Sequence, residues 1–373
     1  MLAQTFGCCR YIYNWGLRLR TDAWFGQQKR INYVQSSAAL TELKRQPEVA
    51  WLNDVSSVPV QQCLRHLQTA FSNFWEKRTR YPSFKSKHAR QSAEFTRSGF
   101  SWGGERLTLA KIGAIKVKWS RRFSGNPSTV RISKTAAGRY YVSFQVDEPL
   151  LAMPPACEYV GIDVGLTAFA TLSDGSKLHA PRPLRRKMAQ LKRAQKSLSR
   201  KKKGSNNRNK ARVRIAKIHQ KVADIRNDFL HKTSTRLVRE NQTIVTEDLN
   251  VRGMMADHCL ARSIADSGWS EFFRQLAYKC AWYGRTMVKI DRFYPSSKRC
   301  SQCGHVVKEM RLDVREWTCP ECGALHDRDV NAARNILAAG QAVIACGDGV
   351  KPPRSKEREG SRPRSRNRSV RCA

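Results

Sequence analysis

The sequence predicts a multidomain α+β protein: an N-terminal lobe of helices and a small antiparallel barrel or sheet, then an α/β domain interrupted by a zinc ribbon. Three observations carry this. Apolar periodicity changes from three- and four-residue steps to alternation near residue 100, and to mixed α/β beyond residue 157. Two C-x-x-C-G pairs stand close together, and three acids interrupt or follow apolar strand-like runs.

Residues 1–98 form the first region, helical over 1–80 and followed by a basic-aromatic segment. Val60, Leu64, Leu67, Phe71 and Phe74 form one amphipathic face, Pro59 suits a first helical turn, and Tyr11, Tyr13, Trp15 and Leu17 make an earlier apolar stretch. The segment 81–97 is basic with Tyr81, Phe84 and Phe95 interleaved, which suits phosphate and base contacts or an ordinary surface loop equally. In 99–155, the runs RLTLA, AIKVKW, STVRISK and RYYVSFQVD read as strands, and the Pro154-Pro155 pair marks a boundary near 155.

From 156 to 295 the pattern is α/β. YVGIDVG and QTIVTEDL read as apolar strands that carry acids, TMVKIDRFY as a further strand, and 269–284 as a helix stopped by Gly284. A basic helical hairpin is expected over 182–240, broken at KKKGSNNRNK. Between Arg182 and Lys221 there are seventeen Lys and Arg and no Asp or Glu. A solvated face would leave these charges repelling one another, so a hairpin that tracks phosphates is the better reading. Segment 296–325 is the ribbon, 326–345 a returning helical segment, and 346–373 a basic tail expected to be disordered.

Among the 373 residues, 69 Lys and Arg face 30 Asp and Glu, a net charge of +39. Such a particle is best understood with a polyanion bound. No apolar run spans a membrane and no secretory leader is evident, so a cytoplasmic, nucleoid-associated location is expected and no membrane partner. Eight of the twelve cysteines (Cys8, Cys9, Cys63, Cys157, Cys259, Cys280, Cys346 and Cys372) form no framework, which suits a reducing compartment.

The other four do. Cys300 and Cys303, then Cys319 and Cys322, are separated by fifteen residues, and each pair is followed by a glycine. Two such turns close a tetrahedral, structural Zn²⁺ site; disulfides are disfavoured by the compartment, and redox motifs usually come singly. Asp163, Glu247 and Asp329 are the candidate catalytic acids. A carboxylate in an apolar strand is costly unless paired or metal-bound. Three of them meeting would hold Mg²⁺, as two ions about 3.5–4 Å apart, for phosphodiester cleavage. Asp327 and Asp329 are each also plausible helix N-caps, and Glu247 a plausible ion-pair partner.

FGCCRYIYNW, VGIDVGLTAFATLSDG, IVTEDLNVRGM, YPSSKRCSQCG and WTCPECGALHDRDVNAARNIL, in this order and with the basic helix pair between the first two acids, resemble the TnpB (OrfB-like) family of transposon-encoded proteins. They resemble the type V CRISPR effectors more distantly. The resemblance implies a helical recognition and β-barrel wedge lobe, then an RNase H-like RuvC nuclease domain with an inserted zinc ribbon. It implies a guide RNA from the transposon end and target double-stranded DNA as partners, and a Mg²⁺-dependent endonuclease activity. The family's acids carry over onto Asp163, Glu247 and Asp329, the last preferred over Asp327 because the family's acid lies in D-x-N-A-A. The zinc ligands carry over onto Cys300, Cys303, Cys319 and Cys322. Family members open with a further basic strand before the FGCCR helix, whereas this chain opens on the helix, so the expected wedge lacks that strand. An RNA-guided DNA-binding repressor and a transposase acting directly are the alternatives; the first typically loses nuclease acids, and all three are present here.

Overall fold

The computed structural model describes residues 1–120, 123–156, 158–311, 313–345 and 368–372. The chain divides into two compact units, residues 1–149 with 362–373, and residues 150–361.

In the first unit, α1 (Leu2–Gln27), α2 (Tyr33–Leu43) and α3 (Ser57–Trp75) pack on one another. Asn32 caps α2 in a reciprocal box with Gln35, and Ser56 caps α3 with Pro59 in its first turn. Val60, Leu64, Leu67 and Phe71 are buried as the periodicity predicts, while Phe74 is only half buried. The strands are β1 (Gln91–Thr96), β2 (Phe100–Trp102), β3 (Leu107–Leu109), β4 (Gly113–Ile115), β5 (Thr129–Lys134) and β6 (Tyr140–Val146). They do not close into a barrel: β1-β5-β6 belong to one antiparallel sheet and β2-β3-β4 to another, both open. Strands of three residues offer too few ladder bonds to carry closure. Phe95, Val130, Ile132 and Phe144 form the core that these strands share with α1 and α3. Strand β1 also shows that part of the basic-aromatic segment 81–97 is sheet, with Phe95 fully buried.

The second unit is built on β7 (Tyr159–Asp163), β8 (Ala170–Leu172), β9 (Lys177–Leu178), β10 (Thr243–Glu247) and β11 (Thr286–Ile290), in the order β11-β10-β7-β8-β9. Strands β7, β10 and β11 are parallel, and β8 and β9 are antiparallel additions. The helices are α4 (Pro183–Ser199), α5 (Asn206–Glu240), α6 (Val251–Met254), α7 (Ala261–Ser267), α8 (Trp269–Tyr283) and α9 (Arg328–Ala345). Gly284 ends α8 in the left-handed conformation, as its sequence position predicts. The basic hairpin is α4 packed on α5, joined through a turn at Gly204. Val160, Ile162 and Ile244 face α5 and α8, whereas Val245, Val288 and Ile290 face α9. Cover on both faces explains the near-continuous apolar runs of β7 and β10.

The two-stranded ribbon consists of β12 (Glu316–Thr318) and β13 (Leu325–Asp327), and β13 runs directly into α9. The expectation of a disordered tail lies, over 346–367 and at 373, outside the described residues. At 368–372 the backbone forms β14 (Arg368–Cys372), an antiparallel partner of β6. Among the described residues, no helix is long and apolar enough to cross a membrane.

Candidate active site and metal ribbon

Strands β7 and β10 run parallel with Thr246 opposite Ile162, so their last residues, Glu247 and Asp163, end side by side. Alternation along each strand puts Asp163 on the face of Gly161, and Glu247 on the face of Val245. This is the face that α9 covers.

Helix α9 comes unusually close. A Cβ at Gly161 would lie 2.1 Å from the Ala333 carbonyl oxygen, and one at Gly340 would lie 2.3 Å from a Val245 methyl. The α9 backbone leaves no room for a side chain at Gly161, and the Val245 side chain leaves none at Gly340. Asp329 stands one helical turn before Ala333, on the same side of α9. That turn carries it toward the end of β7, where its charge acts on Asp163.

The electrostatics follow from this convergence. Burial first, and then the charges of Glu247 and Asp329, push the Asp163 carboxyl well above the ordinary carboxylate range. Burial also raises Glu247, against a 2.6 Å hydrogen bond that the Ser296 hydroxyl donates to it. Two of the three acids, Glu247 and Asp329, have an acidic neighbour that is neutralised differently. Lys289 and Arg292 each bond Asp248 at 3.1 Å and hold it below the usual range. Asp327 accepts the backbone N–H groups of Asp329 and Val330 and a 2.6 Å bond from Lys177. Burial would raise the Asp327 carboxyl, but these partners outweigh it. The helix cap is therefore Asp327, and Asp329 is left to face Asp163, with Arg315 3.8 Å away.

The three carboxylates are less tightly drawn together than the four cysteines, whose sulfurs all lie within 4.8 Å of one another. In the ribbon, Cys300 and Cys322 sulfurs are 3.7 Å apart, and those of Cys303 and Cys319 3.6 Å. A tetrahedron with Zn–S bonds of about 2.3 Å has edges of about 3.8 Å, so this cage suits zinc. Gly304 and Gly323, the glycines that follow the two pairs, adopt φ of 80° and 71°, a left-handed conformation that glycine takes without steric cost.

Sequence reasoning missed several supporting groups. Ser296 orients Glu247, and nothing local in YPSSKRC marks it. Asn331 and Asn335 donate to the Arg299 carbonyl at 2.7 and 2.6 Å, and Asn335 also to that of Ser296 at 2.8 Å. They tie α9 to the first cysteine knuckle. His326 lies buried, its Nε2 3.0 Å from the Cys300 sulfur. Asp266 accepts the N–H groups of Leu184 and Arg185 at the start of α4, and pairs with Arg226.

Three family models match the chain: one described as "Probable transposase" over residues 141–257, "Cas12f1-like, TNB domain" over 269–336, and "Helix-turn-helix domain" over 1–29. The last of these covers a single unbroken helix, α1, with Met1 before it and two residues after it. A Streptomyces pristinaespiralis protein named "Putative RNA-guided DNA endonuclease" is 54% identical over 363 residues, 96% of this chain and 90% of that one. "Putative RNA-guided DNA endonuclease InsQ" of Escherichia coli K12 is 36% identical over 95% of this chain and 92% of its own. The fold resembles that of the protein in "Cryo-EM structure of the Cas12f1-sgRNA-target DNA complex", with a TM-score of 0.58, 13% identity, and 90% and 81% of the two chains covered. Full-length identity at this level, joined to the matching family models, places the chain in the TnpB (OrfB-like) family.

Proposed function

We propose that the chain is an RNA-guided DNA endonuclease whose nuclease centre is Asp163, Glu247 and Asp329. What supports this is that Asp163 and Glu247 end the neighbouring parallel strands β7 and β10 on the face that α9 covers, and that Asp163 feels the charges of both Glu247 and Asp329. Half-buried carboxylates whose charges repel one another destabilise the metal-free site, and a divalent cation is the simplest counter-charge. The three acids would hold Mg²⁺, which when bound supplies an activated water and neutralises charge at the leaving 3′ oxygen. Ser296 fixes the rotamer of Glu247, and Asn331 and Asn335 fix α9 and with it Asp329. Zn²⁺ in Cys300, Cys303, Cys319 and Cys322 is structural, since all four positions are protein sulfurs. The five-stranded sheet is read as an RNase H-like RuvC core. The α4/α5 hairpin supplies the phosphate-tracking surface, while base pairing of the guide supplies sequence specificity.

The test is plasmid cleavage by protein co-expressed with the DNA flanking its gene. Cleavage that depends on the co-purified RNA and is lost with EDTA and in Asp163→Ala supports the reading. Cleavage surviving both treatments refutes the mechanism, and retained RNA-dependent DNA binding without any cleavage favours a repressor.

A further inference from the structure

The first unit contains a cavity of about 280 Å³ between the ends of α1 and α3, far along the chain from the acids. Trp24, Phe74, Trp75 and Tyr81 line it, with Lys29 and Arg30 among the residues at its edge. The rings hold one another in place: Tyr81 meets Phe71 and Phe74 edge-on at 5.5 and 5.3 Å, and its hydroxyl bonds Thr21 at 2.9 Å. Trp75 remains 53% exposed and Trp24 38%, the latter with the Arg30 guanidinium over one face of its ring. Arg20 also lines the cavity and is 5% exposed. Its guanidinium lies over Phe71, Nε donates to Ser36 and Nη2 to Gln68, and Nη1 alone has no acceptor.

We infer that this aromatic cavity takes one unpaired keto base (uracil, thymine or guanine) of a single-stranded nucleic acid. A space this small suits one planar ring system rather than a larger ligand. Exposed aromatic faces beside cations are what stacked bases and their phosphates use. Aromatic cages also bind organic cations, but Arg20, Lys29 and Arg30 would repel one. The buried positive charge of Arg20 favours carbonyl-bearing base edges over amino-bearing ones. The inference rests on the nucleic-acid partnership proposed above but not on cleavage, so a nuclease-dead Asp163→Ala protein retains the pocket.

The experiment uses the full chain stripped of RNA, with the decanucleotides U10, A10 and dT10, and a U10 carrying one photo-crosslinkable 4-thiouridine. Crosslinks at Trp24, Phe74, Trp75 or Tyr81 are expected, with U10 bound more tightly than A10. Trp75→Ala and Trp24→Ala, which remove partly exposed rings, weaken U10 binding by about tenfold and abolish the preference over A10, with unchanged melting. U10 bound more tightly than dT10 identifies the source as RNA, and the reverse identifies a displaced DNA strand; both support a base as the ligand. Crosslinks confined to other residues, or variants that bind U10 like wild type, overturn the inference.

Discussion

The carbonyl oxygen of Ala333 lies where a side chain at Gly161 would have to begin, 2.1 Å from the ideal Cβ position. This contact sets the height of α9 over β7, and so the distance from Asp329 to Asp163. Gly161→Ala is expected to destabilise the protein by about 1–3 kcal/mol, the cost of overpacking, and to lower cleavage more than the melting shift explains. Thermal melting and plasmid cleavage measured on one preparation check this. Cleavage at the wild-type rate would mean that the helix contact does not set the site.

The acids are expected to differ from their neighbours. Replacing Asp163, Glu247 or Asp329 by the amide should reduce cleavage by more than ~100-fold, while Ser296→Ala, which frees Glu247, should cost about 10–100-fold. Asp327→Asn should chiefly loosen the start of α9, by about 1 kcal/mol. Equal losses in Asp327→Asn and Asp329→Asn cleavage would undo the assignment of cap and ligand.

Much of this was legible in the chain. The cysteine spacing specifies a metal cage locally, because each knuckle is a five-residue structure, and the α4/α5 hairpin follows from charge and Gly204. The acids stood out because a carboxylate in VGIDVG has no cheap explanation. The choice between Asp327 and Asp329 could not be made from caps alone, since both suit a helix start. It depends on Lys177, distant in sequence, which occupies Asp327. The choice between barrel and sheet was not legible, because alternation identifies strands and not their closure, and the barrel that the resemblance implied is not formed. Ser296 was missed because its role exists only through contact with Glu247.

A metal-free site of raised carboxylates has a pH signature. An acid whose folded-state pKa is raised contributes stability that is full below its unfolded pKa and is lost as pH rises through the folded value. Asp163 and Glu247 are both of this kind. Asp163→Asn should therefore melt higher than wild type at neutral pH without Mg²⁺, with the gap closing toward pH 4. Added Mg²⁺ should raise the wild-type midpoint and leave the variant's nearly unchanged. A variant that melts lower than wild type at neutral pH would contradict this.

Glu94 behaves in the opposite way. Burial would raise its carboxyl, but hydrogen bonds from His66 (3.2 Å) and Arg131 outweigh it and hold the pKa at about 2. A depressed acid contributes stability above its unfolded pKa of about 4.3, and that contribution is lost as pH falls toward 2. Glu94→Gln should cost about 1 kcal/mol at pH 7, given the half-exposed Arg131 partner. It should also flatten the stability profile between pH 4 and 2, as read by denaturant titration at each pH. An unaltered acid limb would show that the pair contributes nothing.

The central claim is that Asp163, Glu247 and Asp329 share divalent ions. The most direct measurement is anomalous scattering from Mn²⁺ in crystals of the RNA–DNA complex. The account predicts Mn²⁺ peaks within bonding distance of all three carboxylates, lost in Asp163→Ala. Mn²⁺ bound elsewhere in a cleavage-competent complex, with these acids unligated, would contradict it.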